Sequence, residues 1–265
     1  MLAQQRQTMI LEVVRENGAA RVADLVAQFG VSDMTIRRDL DVLARRGWLD
    51  KVHGGATMPL AGSTDEPGFA EKSLRELAEK QGIAHTAAAL VRPGQAVGLS
   101  AGTTTWTLAQ ALLDVAGLTV VTNSPPVAEV FHTAGRSDQT VVLTGGVRTP
   151  SDALVGPVAV GSLASINLDT VFLGTHGMEV RSGFSAPNFL EADTNRALIR
   201  AARRLVVVAD HTKWGVVGIA TVAPLEQADV LVSDPQLSRE ARTRLAEHVG
   251  EVLLADEVDG RDSAS

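Results

Sequence analysis

The chain has 265 residues, enough for two domains of ordinary size, and 45% of them are apolar, so a sizeable core is available although aromatics make up only 3%. It contains no cysteine, which excludes disulfides, thiolate metal sites and cysteine nucleophiles. No apolar run has the length of a membrane helix and the start lacks the apolar core of a signal peptide, so the expectation is a cytoplasmic protein with no membrane partner. The net charge of −7 is unevenly placed: residues 1–60 hold eight basic and seven acidic side chains, and the acidic excess lies in the remainder. A near-neutral N-terminal segment attracts phosphate weakly at long range, so DNA binding there has to draw on base contacts and on pairing of copies.

Residues 2–17 read as a first helix, with Met9, Ile10, Val13 and Val14 on its apolar side and Asn17-Gly18 as its stop. Val22, Leu25, Val26 and Phe29 share one side of a second helix, and Gly30 supplies a backbone able to turn with positive φ. Ser32 suits the N-cap of a third helix, in which Ile36, Leu40 and Leu43 form an apolar stripe. The opposite side shows Met34, Thr35, Arg37, Arg38 and Asp41. Helix, glycine turn and helix at this spacing make a helix-turn-helix. In a major groove, arginine can read guanine with two hydrogen bonds, and Thr or Met can touch a thymine methyl. An isolated arginine pair would be a solvated surface; it is the completed motif that points to DNA. Gly47–Ala56 follows as a basic β-wing in which Trp48, Leu49 and Val52 pack or stiffen the hairpin. Lys51 and His53 are placed to meet phosphate, and His53 has an equal second reading as a turn hydrogen-bonder ahead of Gly54-Gly55. The candidate DNA contacts are Ser32, Met34, Thr35, Arg37, Arg38, Lys51 and His53.

The strings V-S-x-x-T-I-R-R-D-L, beginning at Val31, and G-x-L-x-x-x-H-G-G-A, beginning at Gly47, resemble the winged-helix signature of the DeoR family of bacterial transcription regulators. Residues 57–74 then read as a linker, with two prolines, two glycines and no periodicity before Glu71. A helix is expected from Glu71 through Lys80 and on through Ile83, Ala87, Leu90 and Val91. Beyond it, short apolar strands alternate with helical stretches at 96–99, 118–122, 140–144, 170–173, 205–209, 230–232 and 252–254. That is the pattern of a mostly parallel α/β sheet spanning about 75–255. Small and polar residues gather after these strands, where open α/β sheets bind ligands. Gly102-Thr103-Thr104-Thr105 opens a helix whose N-terminus favours an anion. Taken alone it would be an ordinary Thr-capped turn, as Lys213 alone would be a solvated lysine. Neither nucleotide-binding glycine motif is present, and no cofactor is implied. Val180–Leu190 has the chemistry of a lid or specificity loop, and residues 256–265 read as a polar, disordered tail.

The resemblance continues through E-K-x-x-I-A, A-G-T-T-T, L-T-V-V-T-N-S, L-T-G-G, F-L-G-x-x-G and A-D-H-T-K-W-G, starting at 79, 101, 118, 143, 172 and 209. These are similar to the DeoR effector domain, a fold related to ribose-5-phosphate isomerase. The resemblance implies a phosphorylated sugar as effector, with Gly102, Thr103, Thr104, Asn123, Gly145, Gly177 and Lys213 lining its site. Two positions depart from the family pattern. Ser100 stands where an Asp is usual, two residues before Gly-Thr-Thr, and His176 lies between the glycines, either on the ligand or ordering the turn. The rival reading is a sugar-phosphate isomerase-like enzyme with an appended DNA-binding domain. That chemistry needs a base and a partner acid, yet the loop at 174–177 holds no carboxylate, and nothing pairs Glu179, Glu191 or Asp210. The six histidines show no metal-ligand spacing. The expectation is a repressor of carbohydrate-metabolism genes: a winged helix over 1–56 on operator DNA, a sensor over 75–255, working as a homodimer or homotetramer.

Overall fold

The computed structural model describes residues 3–17, 19–45, 48–52, 54–57 and 68–255. The chain divides into two compact units, Met1–Gly62 and Ser63–Ser265.

The first unit runs α1 (Ala3–Asn17), β1 (Ala19–Arg21), α2 (Val22–Phe29), α3 (Asp33–Arg45), β2 (Asp50–Val52) and β3 (Gly55–Thr57). Gly30 ends α2 in the left-handed conformation, φ +64°, with its N–H on the Val26 carbonyl at 3.0 Å. The three strands form an antiparallel sheet in the order β1-β3-β2. Gly55 has no alternative in the middle strand, because a Cβ there would stand 2.2 Å from the Ala20 carbonyl oxygen. Ile10, Val14, Leu25, Ile36, Leu40, Leu43 and Leu49 are buried together beneath this sheet. The first helix turns differently from its sequence pattern. Met9 is exposed and Leu11 buried, since the inward stripe is Arg6, Ile10, Leu11 and Val14. Val52 is also exposed rather than packed.

The second unit starts inside the stretch that reads as linker, with α4 (Phe69–Ser73), and continues with α5 (Leu77–Ala88). The single helix expected over 71–91 is therefore broken. Glu76 sits at φ +49°, a conformation no helix interior accepts. The cause is the buried Lys80: its ammonium donates to the Lys72 and Arg75 carbonyls, at 2.7 and 2.5 Å, capping α4 from outside.

Then follow β4 (Ala96–Leu99), α6 (Thr103–Ala111), β5 (Thr119–Thr122), α7 (Pro125–Ala134), β6 (Thr140–Leu143), β7 (Val147–Arg148), β8 (Leu154–Val155) and α8 (Pro157–Leu163). The chain goes on through β9 (Thr170–Gly174), β10 (Gly177–Glu179), β11 (Gly183–Ala186), α9 (Phe189–Ala201), β12 (Leu205–Val208), β13 (Ala220–Ala223), β14 (Val230–Ser233), α10 (Arg239–Ala246) and β15 (Val252–Leu254). All seven expected strands join one wholly parallel sheet, ordered β15-β14-β12-β9-β4-β5-β6.

Alternating side chains serve its two faces. Val97, Leu99, Val206 and Val208 pack with Ile83, Leu108 and Phe131 on one side. Val171, Leu173, Leu205 and Val207 pack with Leu163, Phe184 and Leu198 on the other. The stretch expected as a lid or specificity loop, Val180–Leu190, is in part a buried strand. Its Gly183–Ala186 portion is fully buried as the centre of an antiparallel sheet β10-β11-β13. Residues 180–182 make the hairpin turn, and a Cβ on Gly183, the first residue of β11, would stand 2.2 Å from the Ala223 carbonyl oxygen. Among the described residues no helix is long and apolar enough to cross a membrane.

Candidate functional sites

On the first unit, α3 has two sides of opposite character. Ile36, Leu40 and Leu43 are buried to 1% or less. Met34, Arg37 and Arg38 are exposed and Thr35 half-buried, as the amphipathic pattern requires. Ser32 caps the helix: its Oγ accepts the Thr35 N–H at 3.3 Å and lies 2.9 Å from Thr35 Oγ1. Arg37 is clamped by Asp33 at 2.5 Å, which raises the guanidinium pKa chiefly through that hydrogen bond. Lys51 bonds Asp41 at 2.5 Å, lowering the Asp41 pKa. Both ion pairs are open to solvent, where such pairs exchange partners at little cost. Arg38 is exposed on the same side. His53 lies outside the described residues.

Asp39, the aspartate of R-R-D-L, is buried instead. It accepts Arg6 Nε at 2.6 Å and Gln7 Nε2 at 2.9 Å, tying α3 to α1. A carboxylate on the same stripe as Ile36, Leu40 and Leu43 was the signal for this in the sequence.

On the second unit, the sheet order reverses its direction of growth at β4: β5 and β6 are added on one side, β9, β12, β14 and β15 on the other. The C-terminal ends of β4 and β9 are thus the topological switch point, the place where sheets of this kind bind ligands. Most candidate residues converge there: Ser100, Gly102, Thr103 and Thr104 after β4, His176 and Gly177 after β9, Lys213 after β12, and Asn123 after β5. Gly145 follows β6 at the sheet's outer edge.

Several of them have other tasks. Ser100 is fully buried, and its Oγ accepts the Gly174 N–H at 2.9 Å, stitching β4 to β9. Asn123 accepts the Ala101 N–H at 2.9 Å and donates to the Leu154 carbonyl at 3.1 Å, holding the β4 loop and β8 together. A Cβ on Gly177 would lie 2.1 Å from the Val216 carbonyl oxygen, so this glycine answers a close approach of two backbones. Gly145, at φ +71°, serves the turn into β7. His176 is half-buried, with its N–H on the Ser185 carbonyl at 3.1 Å.

Thr105 anchors the loop through Oγ1, 2.7 Å from the Ser100 carbonyl and 3.0 Å from that of Gly102. Thr103 and Thr104 occupy the first turn of α6, where backbone N–H groups have no intrahelical acceptor. After β12, Asp210 is buried and accepts from Thr212 in a short 3-10 turn, and Lys213 Nζ stands 4.0 Å from its carboxylate.

Sequence reasoning missed three groups near the loop after β12. Lys80 is one; burial brings its pKa down to about 8, with Asp210 acting against the shift and Lys213 adding to it. A lysine on the apolar stripe Lys80, Ile83, Ala84, Ala87 was the available signal. The others are His211 and Asp234. Asp234 is fully buried, and its Oδ1 lies 2.9 Å from His211 Nδ1. That hydrogen bond raises the His211 pKa. For Asp234 burial is the largest influence and works upward, but the hydrogen bonds from His211 and Gln236 outweigh it and leave the carboxyl below its ordinary value.

The other two acids that the sequence offered for catalysis are engaged in structure. Glu179 accepts the Arg181 and Ser182 N–H groups, both at 2.9 Å, and Glu191 accepts Ser151 Oγ at 2.8 Å.

Residues 6–60 match the DeoR-like helix-turn-helix domain and residues 75–235 the DeoR C terminal sensor domain. The HTH-type transcriptional regulator GlpR of Haloferax volcanii is 35% identical over 246 residues, 92% of this chain and 95% of the relative. The glycerol-3-phosphate regulon repressor of Escherichia coli (strain K12) is 30% identical over 231 residues, 87% of this chain and 90% of the relative. Among solved structures, ribose 5-phosphate isomerase A from Methanocaldococcus jannaschii overlaps 51% of this chain and 53% of its own with a TM-score of 0.37, at 16% identity. Sequence likeness covers reader and sensor alike, in one chain and in the same order. The chain belongs to the DeoR family of helix-turn-helix transcriptional regulators.

Proposed function

We propose that this regulator represses carbohydrate-metabolism genes and is released from its operator by a small anionic effector of the sugar-phosphate class. The observation that carries the DNA half is the exposed side of α3, with Met34, Thr35, Arg37 and Arg38 beside one another and Ser32 fixing the helix start. Arg37 and Arg38 read base edges, Met34 and Thr35 touch thymine methyls, and Lys51 and His53 meet phosphate across the wing.

In the sensor, the effector's anionic group lies at the N-terminus of α6, held by the Thr103 and Thr104 hydroxyls and first-turn N–H groups. Lys213 closes on it from the β12 loop, and Gly102 lets the ligand approach the backbone. Ser100, Asn123, Gly145 and Gly177 shape the crevice rather than contact the ligand, and His176 borders it. The glycerol-3-phosphate regulon repressor, by its name, serves a phosphorylated three-carbon compound, which agrees with this ligand class.

Sensing is favoured over isomerisation because the three acids that the sequence offered as bases are already engaged, Glu179 by the turn after β10, Glu191 by Ser151 and Asp210 by the cap of the β12 loop. The reader works in pairs, since one short helix cannot single out an operator among genomic competitors. The effector acts by binding the off-DNA arrangement of the pair more tightly.

The test is binding to DNA from the gene's own upstream region while sugars and their phosphates are titrated. Release by one sugar phosphate is expected. Release by a neutral sugar alone rejects the anion site at α6, and indifference to the whole panel rejects the effector class.

A further inference from the structure

Strand β6 is the outermost strand of the large sheet, and one side of its backbone has no partner among the described residues. The Thr140 N–H donates to the Leu118 carbonyl at 2.8 Å and the Thr144 N–H to that of Thr122 at 3.0 Å. Successive residues of a strand alternate in direction, so the N–H and C=O groups of Val141 and Leu143 point off the sheet. Proteins usually guard such an edge with lysine, proline or a bulge. This edge has no such guard: Thr140–Val147 reads T-V-V-L-T-G-G-V, without a charge or a proline.

The side chains around the edge are apolar and open. Val142 is 38% exposed, Leu143 44%, Val147 67% and Val158 65%. Val158 continues the same surface, because its Cγ1 lies 3.6 Å from the Cβ position of Gly145.

Charge decides what covers it. Arg136 is held by Asp138 at 3.0 and 2.8 Å, and Arg148 by Asp152 at 2.7 Å, so the flanking arginines are already neutralised within the chain. Across a two-fold axis every residue near the axis meets its own copy, and any net charge there would repel itself. An acidic or basic partner would instead be met by complementary charge, and this edge offers none.

We propose that β6 pairs antiparallel with β6 of a second copy of this chain, joining the two large sheets into one. Centring the axis on Val142 places Val141 opposite Leu143 of the other copy and uses all the outward N–H and C=O groups of both. It also sets the two Val142 side chains face to face as the close, non-hydrogen-bonded pair, with Cα atoms ~4.5 Å apart. The proposal rests on the reading that DNA recognition needs paired readers, and it adds the surface that pairs them.

Because the chain has no cysteine, one introduced thiol reports the contact without background. Full-length Val142→Cys under mild oxidation is expected to give a disulfide-linked dimer on a non-reducing gel, while Thr243→Cys, exposed on α10, stays a single chain. Val142→Lys should halve the parent's mass in light scattering with an unchanged circular dichroism spectrum, and Val142→Thr should keep the parent's mass. If Val142→Cys links no faster than Thr243→Cys, or folded Val142→Lys keeps the parent's mass, β6 is not the interface, although pairing through another face stands. A parent that is monomeric at tens of micromolar overturns both the interface and the paired reading.

Discussion

The reader and the sensor make opposite use of the polar residues that their motifs display. In the reader, Met34, Arg37 and Arg38 lie outside a helix whose other side is wholly buried, so residue type and position translate directly into an exposed surface. In the sensor, Ser100 and Asn123 are buried and hydrogen-bonded to loop backbone, and Gly177 is pressed against another chain segment. A polar motif on a solvated helix presents groups to a ligand. The same chemistry at the ends of buried strands first has to satisfy the backbone that turns there. For the side chains of Thr103 and Thr104, by contrast, no such tie to the loop backbone is seen among the described residues.

Adjacent residues of α3 give the sharpest way to break this contrast. Asp39→Ala leaves the Arg6 guanidinium buried without its carboxylate, a loss of about 3–5 kcal/mol that should unfold the reader. Chemical denaturation of the isolated transition would show it, and a parent-like stability would mean that the Arg6–Asp39 contact is incidental. Arg38→Ala should leave stability unchanged and cost about 1–3 kcal/mol per base contacted, doubled in a paired reader, so that specific operator binding falls to the non-specific level. Affinity equal to the parent's in a gel-shift titration would remove Arg38 from the interface.

The sensor offers the matching pair with smaller effects. Lys213→Ala removes a charged hydrogen bond worth about 1.5–3 kcal/mol from the effector alone, so the concentration needed for release should rise about tenfold or more with DNA affinity unchanged. Asn123→Ala should raise it as well, but with a lowered denaturation midpoint, because the β4 loop loses its tie to β8. An unchanged dose-response for Lys213→Ala would leave the anion to α6 alone.

What the sequence made legible follows the same divide. Apolar periodicity located all seven strands of the large sheet and the two helices of the helix-turn-helix, because burial on fixed faces leaves a period in the sequence. It could not foresee the break at Glu76, which depends on Lys80 reaching back eight residues to the Lys72 carbonyl. Gly183–Ala186 read as loop because one apolar side chain, Phe184, among small residues carries no periodicity, yet Phe184 enters the core and Gly183 and Ser185 let neighbouring backbones approach β11 between β10 and β13. Motif matching picked out loops that lie at the same end of the sheet but could not separate Ser100 and Asn123 from Thr103 and Thr104. That difference lies in which backbone groups each side chain meets across the sheet.

The smallest effect concerns His211, which opens the short 3-10 turn that also carries Lys213 and is held by Asp234. Its hydrogen bond to Asp234 raises the imidazole pKa above the ordinary 6.5, so the folded sensor binds this proton more tightly than the unfolded chain. The stabilisation is complete below the unfolded pKa and is lost as pH rises through the raised folded one. For a partly exposed pair it should amount to less than about 1 kcal/mol. Asp210, Glu76 and Asp234 favour the proton, and burial opposes it. Urea midpoints of the sensor transition should therefore decline from pH 6 upward in the parent and run flatter in His211→Asn. Parallel slopes would show that Asp234 is held by the His211 and Gln236 N–H groups alone, and that the imidazole contributes no charge to this loop.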